Sequence, residues 1–132
     1  MQTSRTPAFL RWTPSIVLML AIFFFSSLPS SRIPYFGGWD ILVKKGGHML
    51  GYAMLGLAYF YALPPRLSTG FRWLLALFMA ILFSLSDEFH QSFVQGRTST
   101  LVDVGIDTVG AAIALTFGAY VSSNSRSNSE GP

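Results

Sequence analysis

The chain has 132 residues, of which 51% are hydrophobic and only 11% are charged, and its net charge is +3. Soluble domains usually contain about 25% charged residues, so this composition indicates a membrane protein. The absence of cysteine excludes disulfides, thiolate metal sites, a cysteine nucleophile and lipid-modified cysteines. No basic run with interleaved aromatic residues is present, so nucleic-acid binding is not expected.

Four apolar segments predict an all-α membrane protein, a bundle of four transmembrane helices with a polar cluster at one membrane face. The first segment follows Arg5 and Arg11 and resembles a secretory signal peptide, but it lacks a clear Ala-x-Ala site, so we expect an uncleaved helix. Residues 30–44 contain prolines, paired glycines and aromatic residues, which is typical of an interfacial loop. The four helices are expected at approximately residues 10–28, 45–63, 71–93 and 101–121.

Residues 1–121 are predicted to form a single transmembrane domain, and the Ser/Asn-rich residues 122–132 a disordered polar tail. An even number of spans places both termini on one side of the membrane. Arg5 and Arg11 before the first helix favour the cytoplasmic side for the termini, although basic residues between the first two helices oppose this orientation. The far ends of the first and third helices are then expected on the outer side.

Connectivity brings ionisable residues from three predicted helices to this same outer side. Asp87 and Glu88 lie near the end of the third helix, inside a long apolar run. Carboxylates at membrane depth are energetically costly and usually mark a functional site. Asp87, Glu88 and His48 are therefore the candidate catalytic acids and bases. The candidate binding residues around them are Lys45, Tyr52, Gln91, Arg97, Asp103 and Asp107.

The predicted cluster has more carboxylates than fixed cations. Buried charges need partners, so we expect Lys45 and Arg97 to pair with Glu88, Asp87 and the two acids of the fourth helix. Because the acids outnumber the cations, one carboxyl group would carry a proton, or the site would hold an added proton or cation.

Several of these residues also have structural interpretations. His48 and Glu88 could form a buried pair without chemistry, and Thr100 with Asp103 fits a capping box at a helix start. A metal site using His48, Glu88 and Asp107 is not expected, because no compact ligand motif is present. No cofactor is expected either.

Three motifs of polar residues occur in a fixed order within the apolar spans. They are Lys45-x-x-His48-x-x-x-Tyr52, Asp87-Glu88-x-x-Gln91-x-Phe93 and Gly96-Arg97-x-Ser99-x-x-x-Asp103, followed by Gly110. This pattern resembles the VanZ-like family of small bacterial membrane proteins. The family usually has an Asp where this chain has Lys44 and an Asn where it has Asp107. The resemblance implies a multi-pass protein of the bacterial cytoplasmic membrane, and a link to resistance against the glycopeptide teicoplanin.

The predicted function is binding or processing of an anionic lipid or cell-wall precursor headgroup at the outer rim of the bilayer. Lys45 and Arg97 would hold the headgroup, while Glu88, Asp87 and His48 would move protons or orient it. An enzyme would need a water activated by Glu88, because no nucleophile is evident. The alternatives are a proton-coupled small carrier and a structural membrane partner, in which small-residue stripes pack within the chain or between copies of a homo-oligomer. Membrane lipids are the expected partners.

Overall fold

The structure, a computed structural model, describes residues 6–129 and contains four long helices. They are α1 (Ala8–Ser27), α2 (Asp40–Ala62), α3 (Thr69–Gln91) and α4 (Leu101–Ser129), and residues 6–129 contain no strand. The predicted all-α fold is therefore confirmed. By length and composition, α1, α3 and α4 are long and apolar enough to cross a membrane. With 23 residues α2 has the length, but its early turns are polar and it is not among the three.

The surface of the bundle is apolar and part of its interior is polar, which is the arrangement that a bilayer favours. On α1, Phe9 is 69% exposed and Leu20 is 65% exposed. In contrast, the buried side chains of α1 are those of Ser15 and Ser26. Because the outward-facing side chains are apolar, hydrocarbon is the medium that suits this helix.

Helix α2 lies at the centre of the bundle and contacts the other three helices. Its closest approach is to α4, where a Cβ added at Gly110 would lie 2.5 Å from the carbonyl oxygen of Met49. Glycine at this position therefore lets the two backbones touch, as small residues do between membrane helices. The buried hydrophobic core consists of Tyr52, Leu55, Tyr59, Phe60, Leu63, Ala76, Ala80, Ala111 and Leu115.

The helix boundaries differ from the predicted ones, most clearly at the start of α2. We predicted a loop through residue 44, whereas the chain forms two short 3₁₀ turns, at Ser30–Arg32 and Gly37–Trp39, and α2 begins at Asp40. The Asp40 carboxylate accepts a 3.1 Å hydrogen bond from the Phe36 amide and forms a 2.7 Å ion pair with Lys44. These two contacts stabilise the additional first turn. Likewise α1 begins at Ala8, two residues before its predicted start, and α3 ends at Gln91 rather than at residue 93.

The prediction of a disordered tail is wrong for residues 122–129, because α4 continues through Ser129. The guanidinium of Arg126 donates a 3.0 Å hydrogen bond to the carbonyl of Pro65, so the last turns of α4 contact the α2–α3 connection. Arg5 and residues 130–132, which also entered the sequence predictions, lie outside the described residues.

One end of the bundle is rich in arginine. Here α2 ends before Pro64 and Pro65, and its last carbonyl groups accept hydrogen bonds from arginines of the neighbouring helices. The guanidinium of Arg72 donates to the Phe60 carbonyl at 2.7 and 3.2 Å, and Arg11 donates to the Leu63 carbonyl. Arginines thus satisfy carbonyls that a helix end leaves unpaired. We call this the arginine end. The predicted polar cluster lies at the opposite end.

Candidate functional site

A cavity of about 230 Å³ lies where α3 ends and α2 and α4 begin. Both inter-helix connections at this end contribute to it, and they are joined by a 3.2 Å hydrogen bond from the Ser30 amide to the Gln95 carbonyl. Of the nine predicted site residues, the two that do not line the cavity are Asp87 and Tyr52, which lie behind its wall. The seven that line it are Lys45, His48, Glu88, Gln91, Arg97, Asp103 and Asp107.

Lys45 forms an ion pair with Asp103 across the mouth of the cavity, which links the second turn of α2 to the first turn of α4. This agrees with the predicted pairing of Lys45 with an acid of the fourth helix. The Lys45 side chain is still 42% exposed, so the pair is accessible from outside. Exposed pairs contribute little to stability, and an incoming anion can therefore compete for this ammonium at low cost.

Asp107 occupies the inner wall of the cavity and is only 1% exposed. Its Oδ2 accepts a 2.7 Å hydrogen bond from the Ser84 hydroxyl on α3, whereas its Oδ1 has no hydrogen-bond partner among the described residues. The Nδ1 of His48 lies 3.9 Å from that Oδ1. The acid nearest to His48 in this contact is therefore Asp107, and not Glu88, the partner that we considered from the sequence.

Asp87 lies behind the cavity, in a buried polar contact between α3 and α1. The Ser26 hydroxyl donates a 2.7 Å hydrogen bond to Asp87 Oδ2, and the Gln91 amide donates to the same oxygen and to Ser26 Oγ, each at 3.1 Å. The Oδ1 of Asp87 has no hydrogen-bond partner in the described chain. Sequence analysis missed Ser26. The available signal was a serine at the end of an apolar helix, since such hydroxyls usually face other helices.

Glu88 connects the end of α3 to the start of α4. Its Oε2 accepts a 3.1 Å hydrogen bond from the Thr100 amide, and its main-chain carbonyl accepts a 2.6 Å bond from the Ser99 hydroxyl. The predicted capping box forms in part, because the Asp103 amide donates to Thr100 Oγ1 at 3.2 Å. The amide of Thr100 itself bonds to Glu88, so a carboxylate from another helix completes the cap at the positive end of the α4 dipole.

The predicted pairing of Arg97 with carboxylates is wrong. Its Nε donates a 3.1 Å hydrogen bond to the Leu28 carbonyl, and its Nη2 donates a 2.6 Å bond to the Phe25 carbonyl. Within residues 6–129 Arg97 forms no ion pair. Burial lowers the pKa of its guanidinium, and the negative charges of Asp87 and Glu88 oppose that change. Arg97 thus caps two carbonyl groups at the end of α1, and part of its side chain also lines the cavity.

Comparison of the sequence with family models identifies a known group of proteins. A family model described as VanZ/LLP1 matches residues 11–121, a range that includes every candidate site residue. The chain belongs to the VanZ/LLP1 family. The resemblance inferred from the motifs is therefore confirmed, and the protein is a multi-pass membrane protein. Comparisons with curated proteins and with solved structures give no match.

One VanZ/LLP1 motif residue, Tyr52, lies away from the cavity surface. Tyr52 is completely buried, and its hydroxyl has no hydrogen-bond partner among the described residues. Its ring stacks on His48 at a centroid distance of 6.4 Å, so it supports the imidazole from behind. Residues 6–129 contain no group of three His, Asp or Glu side chains arranged to hold a metal ion.

The cavity of this VanZ/LLP1 protein is lined by cationic groups and by carboxyl groups. Lys44, Lys45 and Arg97 lie in its wall together with Asp40 and Asp103, the carboxylates with which the two lysines form ion pairs. Glu88 and Asp107 place carboxyl groups at its inner wall. Cations at the entrance attract a negatively charged group, and the acids beneath can accept hydrogen bonds from its hydroxyl groups or exchange a proton with it.

Proposed function

We propose that this protein binds the anionic headgroup of a membrane lipid or a lipid-linked cell-wall precursor, and through it takes part in glycopeptide resistance of the teicoplanin type. One observation carries the proposal: Lys44, Lys45 and Arg97 line the same cavity at the end of the membrane-spanning helices. That is the depth at which lipid headgroups lie. A lipid or precursor headgroup carries phosphate, for which lysine and arginine are the usual protein partners.

We further infer that α2 is a fourth span. Helices α1 and α3 both start at the arginine end, and α2 must return the chain across the same thickness to reach α3. Its polar turns, which contain Asp40, Lys44 and Lys45, coincide with the cavity end. Polar residues at a helix terminus reach the headgroup region and need not enter the hydrocarbon.

The orientation proposed for the bundle places the cavity on the outer side of the bacterial cytoplasmic membrane. Arg11, Arg66 and Arg72 lie at the arginine end, together with Arg126. Basic residues are in excess on the cytoplasmic side of membrane proteins, which supports the inner position of this end. The cavity would then face the compartment in which glycopeptide antibiotics meet cell-wall precursors.

Within the site, Glu88 and His48 are proposed to touch the bound headgroup, because both line the cavity. Asp87 does not line it and bonds to Gln91, which does. Asp87 is therefore proposed as a positioning residue that fixes the Gln91 amide. Gln91, Asp103 and Asp107 would contact the headgroup directly, and Tyr52 would act only through His48.

A second candidate function, a proton-coupled carrier, is favoured by two buried carboxyl oxygens that lack partners among residues 6–129, Asp87 Oδ1 and Asp107 Oδ1. A buried carboxylate without a full set of hydrogen bonds is costly, and protonation relieves that cost. Proton uptake into liposomes containing the protein, measured with a pH-sensitive dye under a membrane potential, tests this function. Uptake no faster than in empty liposomes would rule it out.

The main proposal is tested by teicoplanin susceptibility of a sensitive bacterium that expresses the protein. We expect wild type to raise the inhibitory concentration, and Glu88→Gln and Lys45→Gln to lose this effect at equal membrane levels. The matched control is His90→Gln, because His90 contacts Ser27 and Phe23 and does not line the cavity. No protection by wild type would refute the link to resistance. Full protection by both cavity variants would show that the cavity is not used for it.

A further inference from the structure

An apolar groove of about 350 Å³ separates α1 from α2 on the outer surface of the bundle. Leucine, isoleucine and phenylalanine side chains of α1 form one wall, and the start of α2 forms the other. The residues at the apolar part of the groove include Leu18, Ile22, Phe25, Val43, Gly47 and Gly51.

The groove lies directly beside the polar cavity. Lys44, His48 and Arg97, together with Ile33, line both spaces. The two spaces therefore share a boundary at which two cations and an imidazole meet an apolar channel. A molecule that fills both must have a negatively charged group joined directly to a hydrocarbon chain.

Gly47 keeps the groove open. A Cβ at Gly51 would lie 3.6 Å from Ile22, which is an ordinary contact, so α1 and α2 touch at that level. A Cβ at Gly47, one turn earlier, would meet no atom of the described neighbouring residues within 4 Å. Of these two glycines, Gly51 lies where α1 contacts α2, whereas the two helices remain apart at Gly47. Within a bilayer the remaining space is filled by hydrocarbon, because unfilled apolar space loses dispersion contacts.

The dimensions of the groove fit a single hydrocarbon chain. From Leu18 to Phe25 it follows α1 for roughly 10 Å, given a rise of about 1.5 Å per residue. A helix with a diameter of about 10 Å would need roughly 800 Å³ over that length, which is more than twice the volume of the groove. An acyl chain is much narrower. The groove therefore encloses an acyl chain but not a helix, which could only pack over the groove from outside.

We propose that the groove holds one acyl chain of an anionic glycerophospholipid whose headgroup occupies the polar cavity. This inference rests on the proposed function and narrows its ligand to a lipid of the surrounding leaflet, bound through both of its parts. Lipid tails are as apolar as the side chains that line the groove, so the chain adds little net affinity. The charged headgroup provides the selection, by competing with Asp40 for Lys44 and by approaching Arg97, and the groove sets the direction in which the lipid lies.

Photo-crosslinking of the purified full-length chain in nanodiscs tests the proposal. The probe is an anionic phosphatidylglycerol with a diazirine on one acyl chain, and a phosphatidylcholine with the same chain is the neutral comparison. Peptide mapping should show labelling of residues 18–25 and 43–51 by the anionic probe about tenfold above that of the exposed face at residues 113–120. Uniform labelling along all exposed helix faces would overturn the inference.

Gly47→Leu provides the second arm, because its side chain should fill the groove from a position with no neighbouring atom. We expect groove labelling to fall to the level of residues 113–120. Gly46→Leu is the matched control, since Gly46 also has open space around it and does not line the groove. Unchanged groove labelling in Gly47→Leu would contradict the proposal even if wild type labels as expected.

Binding of soluble glycerol phosphate separates this inference from the proposed function. Wild type and Gly47→Leu should bind it equally, because the cavity is intact in both. Binding of glycerol phosphate without groove labelling would reject the acyl chain and leave the headgroup site standing. The proposed function fails together with the inference under two conditions. Glycerol phosphate would bind no better than uncharged glycerol, and the phosphatidylglycerol probe would label the groove no more than the phosphatidylcholine probe.

Discussion

The Ser84 hydroxyl on α3 donates a 2.7 Å hydrogen bond to Asp107 Oδ2 on α4, and neither side chain is more than 1% exposed. The second oxygen of the same carboxyl group has no partner within the described residues. Asp107 stands where the VanZ-like pattern usually has Asn, which would keep an acceptor for Ser84 without the charge. The acid at this position is thus costlier for stability than an asparagine would be.

We expect Asp107→Asn to stabilise the fold by about 1–2 kcal/mol, because it removes a buried charge and keeps the Ser84 bond. Asp107→Leu should destabilise it, since the Ser84 hydroxyl is then left without its acceptor. Thermal unfolding in detergent measures both changes. If Asp107→Asn destabilises the fold as much as Asp107→Leu does, the charge of Asp107 itself stabilises the structure. The interpretation of Asp107 as a costly buried acid would then be wrong.

Arg97 should act as a cap for the end of α1 in addition to lining the cavity. Arg97→Ala removes two hydrogen bonds from a charged donor to the Phe25 and Leu28 carbonyls, and we expect a loss of about 2–3 kcal/mol. Arg97→Lys keeps the charge but cannot reproduce the forked geometry, so it should recover only part of this loss. Unfolding free energies of both variants are the measurement. Full stability of Arg97→Ala would contradict the capping role.

Ser26 should hold α1 against α3. Ser26→Ala deprives Asp87 of its 2.7 Å donor, and we expect a destabilisation of about 1–3 kcal/mol from the poorly satisfied buried carboxyl group. The matched control is Thr13→Ala, because Thr13 bonds only to Phe9 of its own helix and is exposed. Equal effects of the two substitutions, measured by thermal unfolding, would show that the contact with Asp87 does not hold α1 in place.

Gly110 should be essential for the contact between α2 and α4. In Gly110→Ala the new methyl group would overlap the Met49 carbonyl, so the helices must separate, and we expect a loss of about 2 kcal/mol or more. Gly105→Ala on the same helix meets no atom within 4 Å and should be neutral or stabilising by up to about 1 kcal/mol. Retained thermal stability of Gly110→Ala would refute the close approach.

The helical fold and the meeting of the polar residues could be predicted because both follow from hydropathy and connectivity. Apolar runs specify helices, and the alternating direction of the helices brings His48, Glu88 and Asp107 to one end. The structure indeed places these three around one cavity. Their functional roles remain a prediction.

The partners of individual side chains could not be predicted, because many of them are main-chain groups. The sequence shows acids near Arg97, but it does not show that the end of α1 leaves the Phe25 and Leu28 carbonyls within its reach. The early start of α2 has a similar origin. In the sequence, Gly37 and Gly38 favour a loop. In the structure, the contacts of Asp40 with Phe36 and Lys44 stabilise another turn of helix.

The hydrogen bond from Ser26 on α1 to Asp87 on α3 has a consequence for how the protein assembles during its synthesis. The partner of Ser26, Asp87, comes 61 residues later in the chain, and Arg97 follows Leu28 by 69 residues. At about 5–20 residues per second, these partners leave the ribosome roughly 3–14 s after α1. During that interval α1 resides in the membrane without its docking contacts on α3 and the α3–α4 connection. Assembly therefore has a fixed order, in which α1 waits for α3 and the α3–α4 connection, and α2 and α3 complete their own contacts only when α4 follows.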